Sequence, residues 1–281
     1  MNRIEHCHFH GLPAVRICAH NGATATVTLH GAHVVSWTSP AGVEQLYLSP
    51  NTRFEPGQAI RGGVPVVFPQ FNTRGVLPRH GFARTSPWNL LETQPLDNEA
   101  SVTLSLPVNK VIKSLWPHVF GCELKVSLQD DCLTMALSVR NDGSEAFSFQ
   151  AALHTYLAVG FIQSANLTGL DGFDFEDTTE SQPMTMKHHV ALQPLQAIDR
   201  IYYDAPDKLQ LQSARGRMDL QQTGFSDVVV WNPGSKAAPP PDLPKDGYQH
   251  FLCVEAARIG RPVVLGPAQK WIGAQTIRAA S

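Results

Sequence analysis

The segment Ile60-Arg61-Gly62-Gly63-Val64-Pro65-Val66-Val67-Phe68-Pro69 is followed closely by Arg79-His80-Gly81-Phe82-Ala83-Arg84. Arg61, Arg79 and Arg84, with His80, stand there among apolar residues broken only by glycine and proline. A guanidinium is costly to bury without a partner, so arginines beside strand-like sequence point to an anionic ligand. The glycines permit close backbone approach and the prolines fix the turns that aim the side chains. Surface arginines beside ordinary turns would give the same letters. What favours a site is two further polar signals in apolar surroundings downstream.

The first is His154, in Phe147-Ser148-Phe149-Gln150-Ala151-Ala152-Leu153-His154-Thr155-Tyr156-Leu157. At period two, Phe147, Phe149, Ala151, Leu153 and Leu157 share one face, and Ser148, Gln150, Ala152, His154 and Tyr156 the other. A histidine so placed is more often structural than catalytic. The second is Glu255, alone in the apolar run His250-Phe251-Leu252-Cys253-Val254-Glu255-Ala256-Ala257. Burial there would raise its pKa unless an arginine pairs with it, and a carboxylate with a raised pKa suits general base chemistry near neutrality. Asp199, entering the aromatic Asp199-Arg200-Ile201-Tyr202, joins them, although a strand-end aspartate is the plainer account.

Residues this far apart can meet only if strands carry them to one sheet face, where alternate side chains of neighbouring strands point the same way. Period-two runs supply such strands. Ala25–Leu29 leads into His30–Trp37, and Ser101–Leu106 alternates strictly. Glu123–Leu128 turns at Gln129-Asp130-Asp131 into Leu133–Val139, a hairpin, and Asn141-Asp142-Gly143 turns into the His154 strand. Val228–Trp231 and Val263–Leu265 follow. Helix is expected only in short pieces, around Arg258 or Ser49–Asn51. The expectation is an all-β chain, a large antiparallel β-sandwich forming one domain over residues 1–281. The proline-rich stretch from Ala237 to Pro244 reads as a loop near the site.

The chain has 281 residues, 43% hydrophobic and 16% charged, with a formal charge of −2. That near-neutral balance argues against nucleic-acid or membrane-surface binding and makes any anion site local. No apolar run reaches membrane-spanning length, and the first residues lack the apolar stretch of a signal peptide. Cys7, Cys18, Cys122, Cys132 and Cys253 are odd in number and scattered. They suit reduced thiols in a cytoplasmic protein. His6, Cys7, His8 and His10 lack a second ligand group, so no metal site is assigned.

The chain resembles the hexose-6-phosphate mutarotases (glucose-6-phosphate 1-epimerases) of the aldose 1-epimerase superfamily. The resemblance lies in Arg61–Pro69, Leu77–Arg84, Ala152–Tyr156, Gly169–Gly172, Asp199–Tyr202, Val230–Pro233 and Cys253–Glu255. It implies a galactose mutarotase-like supersandwich with no metal or cofactor, His154 as catalytic acid and Glu255 as catalytic base. It further implies Arg61 and Arg84 at the sugar phosphate, with Asp199 and His80 beside the sugar. Arg79 stands where some relatives carry Gln, so phosphate contact and surface charge are both open to it. Ala256-Ala257 stand where relatives often continue with Pro. The implied reaction exchanges α and β anomers through ring opening, which a histidine and a glutamate can drive together. The expected partner is a small sugar phosphate, met by a monomer. The rival readings are a noncatalytic carbohydrate-binding protein and a mutarotase of unphosphorylated aldoses.

Overall fold

In the computed structural model, residues 97, 180–183, 187–195, 236–238 and 281 lie outside the described residues. The alternating runs form three sheets, and every ladder between the named strands is antiparallel. Arg3–Phe9, Leu12–Cys18, Thr24–Thr28 and His33–Thr38 make a four-stranded meander. The sheet that carries the site runs, by neighbours, through Met184–Met186, Phe175–Asp177, Ile198–Tyr202, Asp227–Asn232, Phe251–Leu265, Phe147–Leu153 and Val66–Val67. Tyr156–Ala158 pairs the same long strand, Phe251–Leu265. The opposing sheet includes Lys208–Ser213, Gly216–Thr223, Lys270–Ala280, Cys132–Asn141, Phe120–Gln129 and Ala100–Ser105.

Between these two sheets lies the core. Leu252, Val254 and Ala256 from one side meet a cluster that includes Leu124, Val126, Met135 and Leu137 from the other. Burying such side chains supplies the main favourable term in folding, about 25 cal/mol per Å² of apolar surface. The intervening residues of the long strand, Phe251, Cys253, Glu255 and Ala257, therefore face outward, where loops cover them.

Three expectations change in detail. The runs at 250–257 and 263–265 are one strand, Phe251–Leu265, whose ladder with Phe147–Leu153 jumps register between Phe149 and Ala151. The run through His154 is two strands, Phe147–Leu153 and Tyr156–Ala158, with His154 and Thr155 between them. Arg258 is in strand and 49–51 in turn, while the one α-helix among the described residues is Lys110–Leu115. Its signal was the cap: the Asn109 side chain accepts a hydrogen bond from the Ile112 N–H at 2.9 Å. Six residues burying Ile112 alone are too few to show helical periodicity. No helix among the described residues is long and apolar enough to cross a membrane.

Candidate active site

Register brings the two principal residues together. Leu153 pairs with Ala256 and Tyr156 with Cys253, so continuing the ladder sets His154 directly opposite Glu255. On the other flank Val229 pairs with Glu255 and with Ile201, and Trp231 pairs with Cys253 and with Asp199. Two rows thus cross one sheet face, Ile201–Val229–Glu255–His154 and Asp199–Trp231–Cys253–Tyr156. The His154 ring stacks on Tyr156 at 4.8 Å and meets Trp231 edge-on at 6.0 Å.

Loops raise walls around these rows. Arg61, Arg79, His80, Arg84, His154, Asp199 and Glu255 all line one cavity of about 460 Å³. Phe71, Asn72, Val229, Trp231 and Pro239-Pro240-Pro241 complete it. The proline stretch is therefore a wall of the site, although Ala237 and Ala238 lie outside the described residues. It is tied down by Asp242, whose carboxylate takes a hydrogen bond from Arg61 Nε at 3.0 Å and whose carbonyl takes one from Ser49 at 2.6 Å. Arg61 Nη1 also donates to the Tyr156 hydroxyl at 3.1 Å. Gly81 (φ +72°) lets the segment between His80 and Arg84 pass the Phe68 carbonyl, where a Cβ would sit 2.1 Å away.

The arginines are unequally satisfied. Arg61 is held charged by Tyr156 and Asp242 against the cost of burial. Among the described residues Arg84 donates only to the Arg79 carbonyl, at 3.1 Å, and its Nε is buried without a hydrogen-bond partner. Burial, with Arg61 and Arg79 close by, pushes its pKa down to about 10. Such surplus positive charge calls for an anion with several oxygens. The same field, added to burial, takes His80 down to about 2. Its Nδ1 accepts the Asn72 N–H at 3.3 Å, which leaves the ring proton on Nε2.

Glu255 is 1% exposed and His154 8%. His154 Nδ1 lies 3.2 Å from Glu255 Oε1, yet without the alignment of a hydrogen bond, and Nδ1 and Glu255 Oε2 are both buried with no hydrogen-bond partner among the described residues. Burial first, then His80 and the arginines, drives His154 well below the ordinary histidine pKa. Burial first, then Asp199, drives Glu255 well above the ordinary carboxylate value. Burial thus favours neutral neighbours over an ion pair here. No arginine bridges to Glu255 among the described residues, so the buried ion pair offered by the sequence as the plain account is not formed. Burial also raises Asp199.

Sequence reading did not single out Tyr156, Asp242 or Asn72 individually. Tyr156 had a usable signal, the phase it shares with His154; a lone aspartate after three prolines had none. His6 and His8 are exposed and His10 stacks on Phe54 at 4.3 Å, so they stand apart from the site.

A sandwich of these sheets, with a buried histidine and carboxylate side by side on one face below arginine-bearing loops, has the galactose mutarotase-like fold. A galactose mutarotase-like protein from Clostridium acetobutylicum superposes with a TM-score of 0.80 at 16% identity, covering 99% of each chain. The aldose 1-epimerase family signature matches residues 13–278, and the chain belongs to that family. A Cenchrus ciliaris protein provisionally named glucose-6-phosphate 1-epimerase is 32% identical, over 94% of this chain and 83% of its own. An Escherichia coli K12 protein of the same provisional name is 33% identical, over 85% and 81%. The crystal structure of a provisional mutarotase from Salmonella typhimurium gives a TM-score of 0.89 at 29% identity, over 99% and 94%.

Proposed function

We propose that this cavity interconverts the α and β anomers of a hexose 6-phosphate, glucose 6-phosphate foremost. The observation that carries the reading is the unpartnered His154–Glu255 pair on the cavity floor beneath an arginine cluster with unspent charge. The phosphate sits among Arg84, Arg79 and Arg61 and anchors the non-reacting end. That leaves C1 and the ring oxygen between the two floor residues, with His80 and Asp199 on the hydroxyls.

Ring opening needs a proton delivered to the ring oxygen and one removed from the C1 hydroxyl. His154, protonated, gives the first through Nε2, while ionised Glu255 takes the second. The pair then stands as neutral histidine and neutral carboxylic acid, the state that burial favours. The open aldehyde turns about C1–C2, and the same groups run in reverse to close the ring on the other face. Starting this cycle requires the ion-pair form, and the bound phosphate assists by offsetting the arginine field that depresses His154.

Two-dimensional exchange NMR on equilibrated glucose 6-phosphate provides the test. Cross-peaks between anomers should grow with protein concentration and without added metal or nucleotide. Exchange no faster than in buffer, with folded protein that still binds the sugar phosphate, would leave a carbohydrate-binding protein. Faster exchange of free glucose than of its 6-phosphate would assign the site to unphosphorylated aldoses.

A further inference from the structure

His154 stands at the apex of a break in its ladder. In a regular antiparallel pairing Thr155 and Val254 would exchange both backbone hydrogen bonds. One is made: the Val254 N–H donates to the Thr155 carbonyl at 3.1 Å. The other is not, because the Thr155 N–H turns back to the Leu153 carbonyl at 2.9 Å, closing a three-residue turn centred on His154. The Val254 carbonyl is taken instead by the side chain of Gln275, whose Nε2 donates to it at 3.1 Å. Gln275 Oε1 in turn accepts the Thr155 hydroxyl at 2.6 Å.

Gln275 belongs to the opposing sheet, on Lys270–Ala280, in phase with the inward-facing Ile277 and Ala279. It is 2% exposed and Thr155 0%. An amide in such a place is unfavourable unless its hydrogen bonds are made, and here they are made to the residues directly following His154 and preceding Glu255. We infer that Gln275 is a positioning residue for the proposed acid–base pair. Reaching across the core, it replaces the ladder bond surrendered by the turn at His154 and fixes the spacing of His154 and Glu255. This rests on the anomer-exchange reading above, and it assigns a role to a residue that touches neither substrate nor the reacting atoms.

Gln275→Met keeps the length and removes both hydrogen bonds. It should lower kcat for glucose 6-phosphate anomer exchange by about ten-fold or more while KM moves little, since the arginine mouth is untouched. Loss of a buried bond also lowers Tm, so a second variant separates the causes. Thr155→Val combined with Gln275→Met removes the hydroxyl, which would otherwise keep only its long 3.4 Å bond to the Leu153 carbonyl, and should regain part of the Tm while kcat stays low. Turnover that returns with Tm in the double variant, or an unchanged kcat in Gln275→Met, would overturn the assignment. A readout free of turnover is the His154 imidazole resonance in the ligand-free protein, which should shift in Gln275→Met while that of His30 stays. If the wild type exchanged no anomers yet this resonance moved, the function would fall and the strut stand. A resonance that does not move removes the strut whatever the activity.

Discussion

At the scale of single residues, burial sets the chemistry by opposing whichever form of a group is charged. For Glu255 that means the fold favours the acid form. Its stabilising share is complete below the ordinary carboxylate pKa and is lost as pH rises through the raised value in the folded state. Glu255→Gln keeps the shape without the charge. It should reduce turnover by about 10²-fold with sugar phosphate affinity largely kept. Its urea midpoint should exceed that of wild type at about pH 8 and match it near pH 4. Near-normal turnover would make the carboxylate structural. Arg84 and Arg61 differ because, among the described residues, only Arg61 already has a carboxylate partner. Arg84→Ala should therefore cost about 1.5–3 kcal/mol in kcat/KM for glucose 6-phosphate, and Arg61→Ala less. The quantity to compare is the ratio of activity on phosphorylated and free sugar. If neither substitution moved that ratio, the phosphate would have to be held elsewhere.

Among the elements, the strands were the more legible part. Alternation set Tyr156 in phase with His154 and placed the hairpin between Phe120–Gln129 and Cys132–Asn141, because period two is a local property, whereas the unbroken apolar run around Glu255 gave no face. The break at His154 was not legible. It depends on Gln275 across the core and on the Pro65 carbonyl, which takes the His154 N–H at 3.0 Å, and no local pattern encodes distant partners. The loops were legible in their arginines, which line one cavity with His154 and Glu255, but not in their geometry, since the tether from Asp242 to Arg61 links residues far apart in sequence. Gly81 offers a test of how far a loop sets the mouth. Gly81→Ala must shift the His80–Arg84 segment off the Phe68 carbonyl and strain a left-handed residue. It should lower Tm and reduce activity on the phosphorylated sugar more than on glucose. An unchanged Tm would mean that the segment relaxes freely.

For the molecule as a whole, protons taken up on unfolding govern acid stability. His33, at about 3, His80, at about 2, and His154 are all held neutral, chiefly by burial. Unfolded, each titrates near its usual value of about 6.5, so their contribution is full above that pH and drains away as pH falls below it. Glu255 and Asp199, raised by burial, work the other way, but only down to about pH 4, where the unfolded carboxylates have also gained their protons. The urea midpoint should decline modestly from about pH 6.5 to 4.5 and steeply below about pH 4. A midpoint that climbed on acidification to pH 4.5 would contradict the buried neutral histidines. We expect these losses in a single cooperative transition, as one core cluster draws on all three sheets. That core also bears on descent. The proposed proton-transferring pair is set by strand register, whereas the arginines proposed to read the phosphate stand on turns that can lengthen, shorten or change their residues without moving the register. A lineage inheriting this frame can exchange one sugar for another at its rim and keep the same reaction below, so specificity should diverge among its descendants faster than chemistry does.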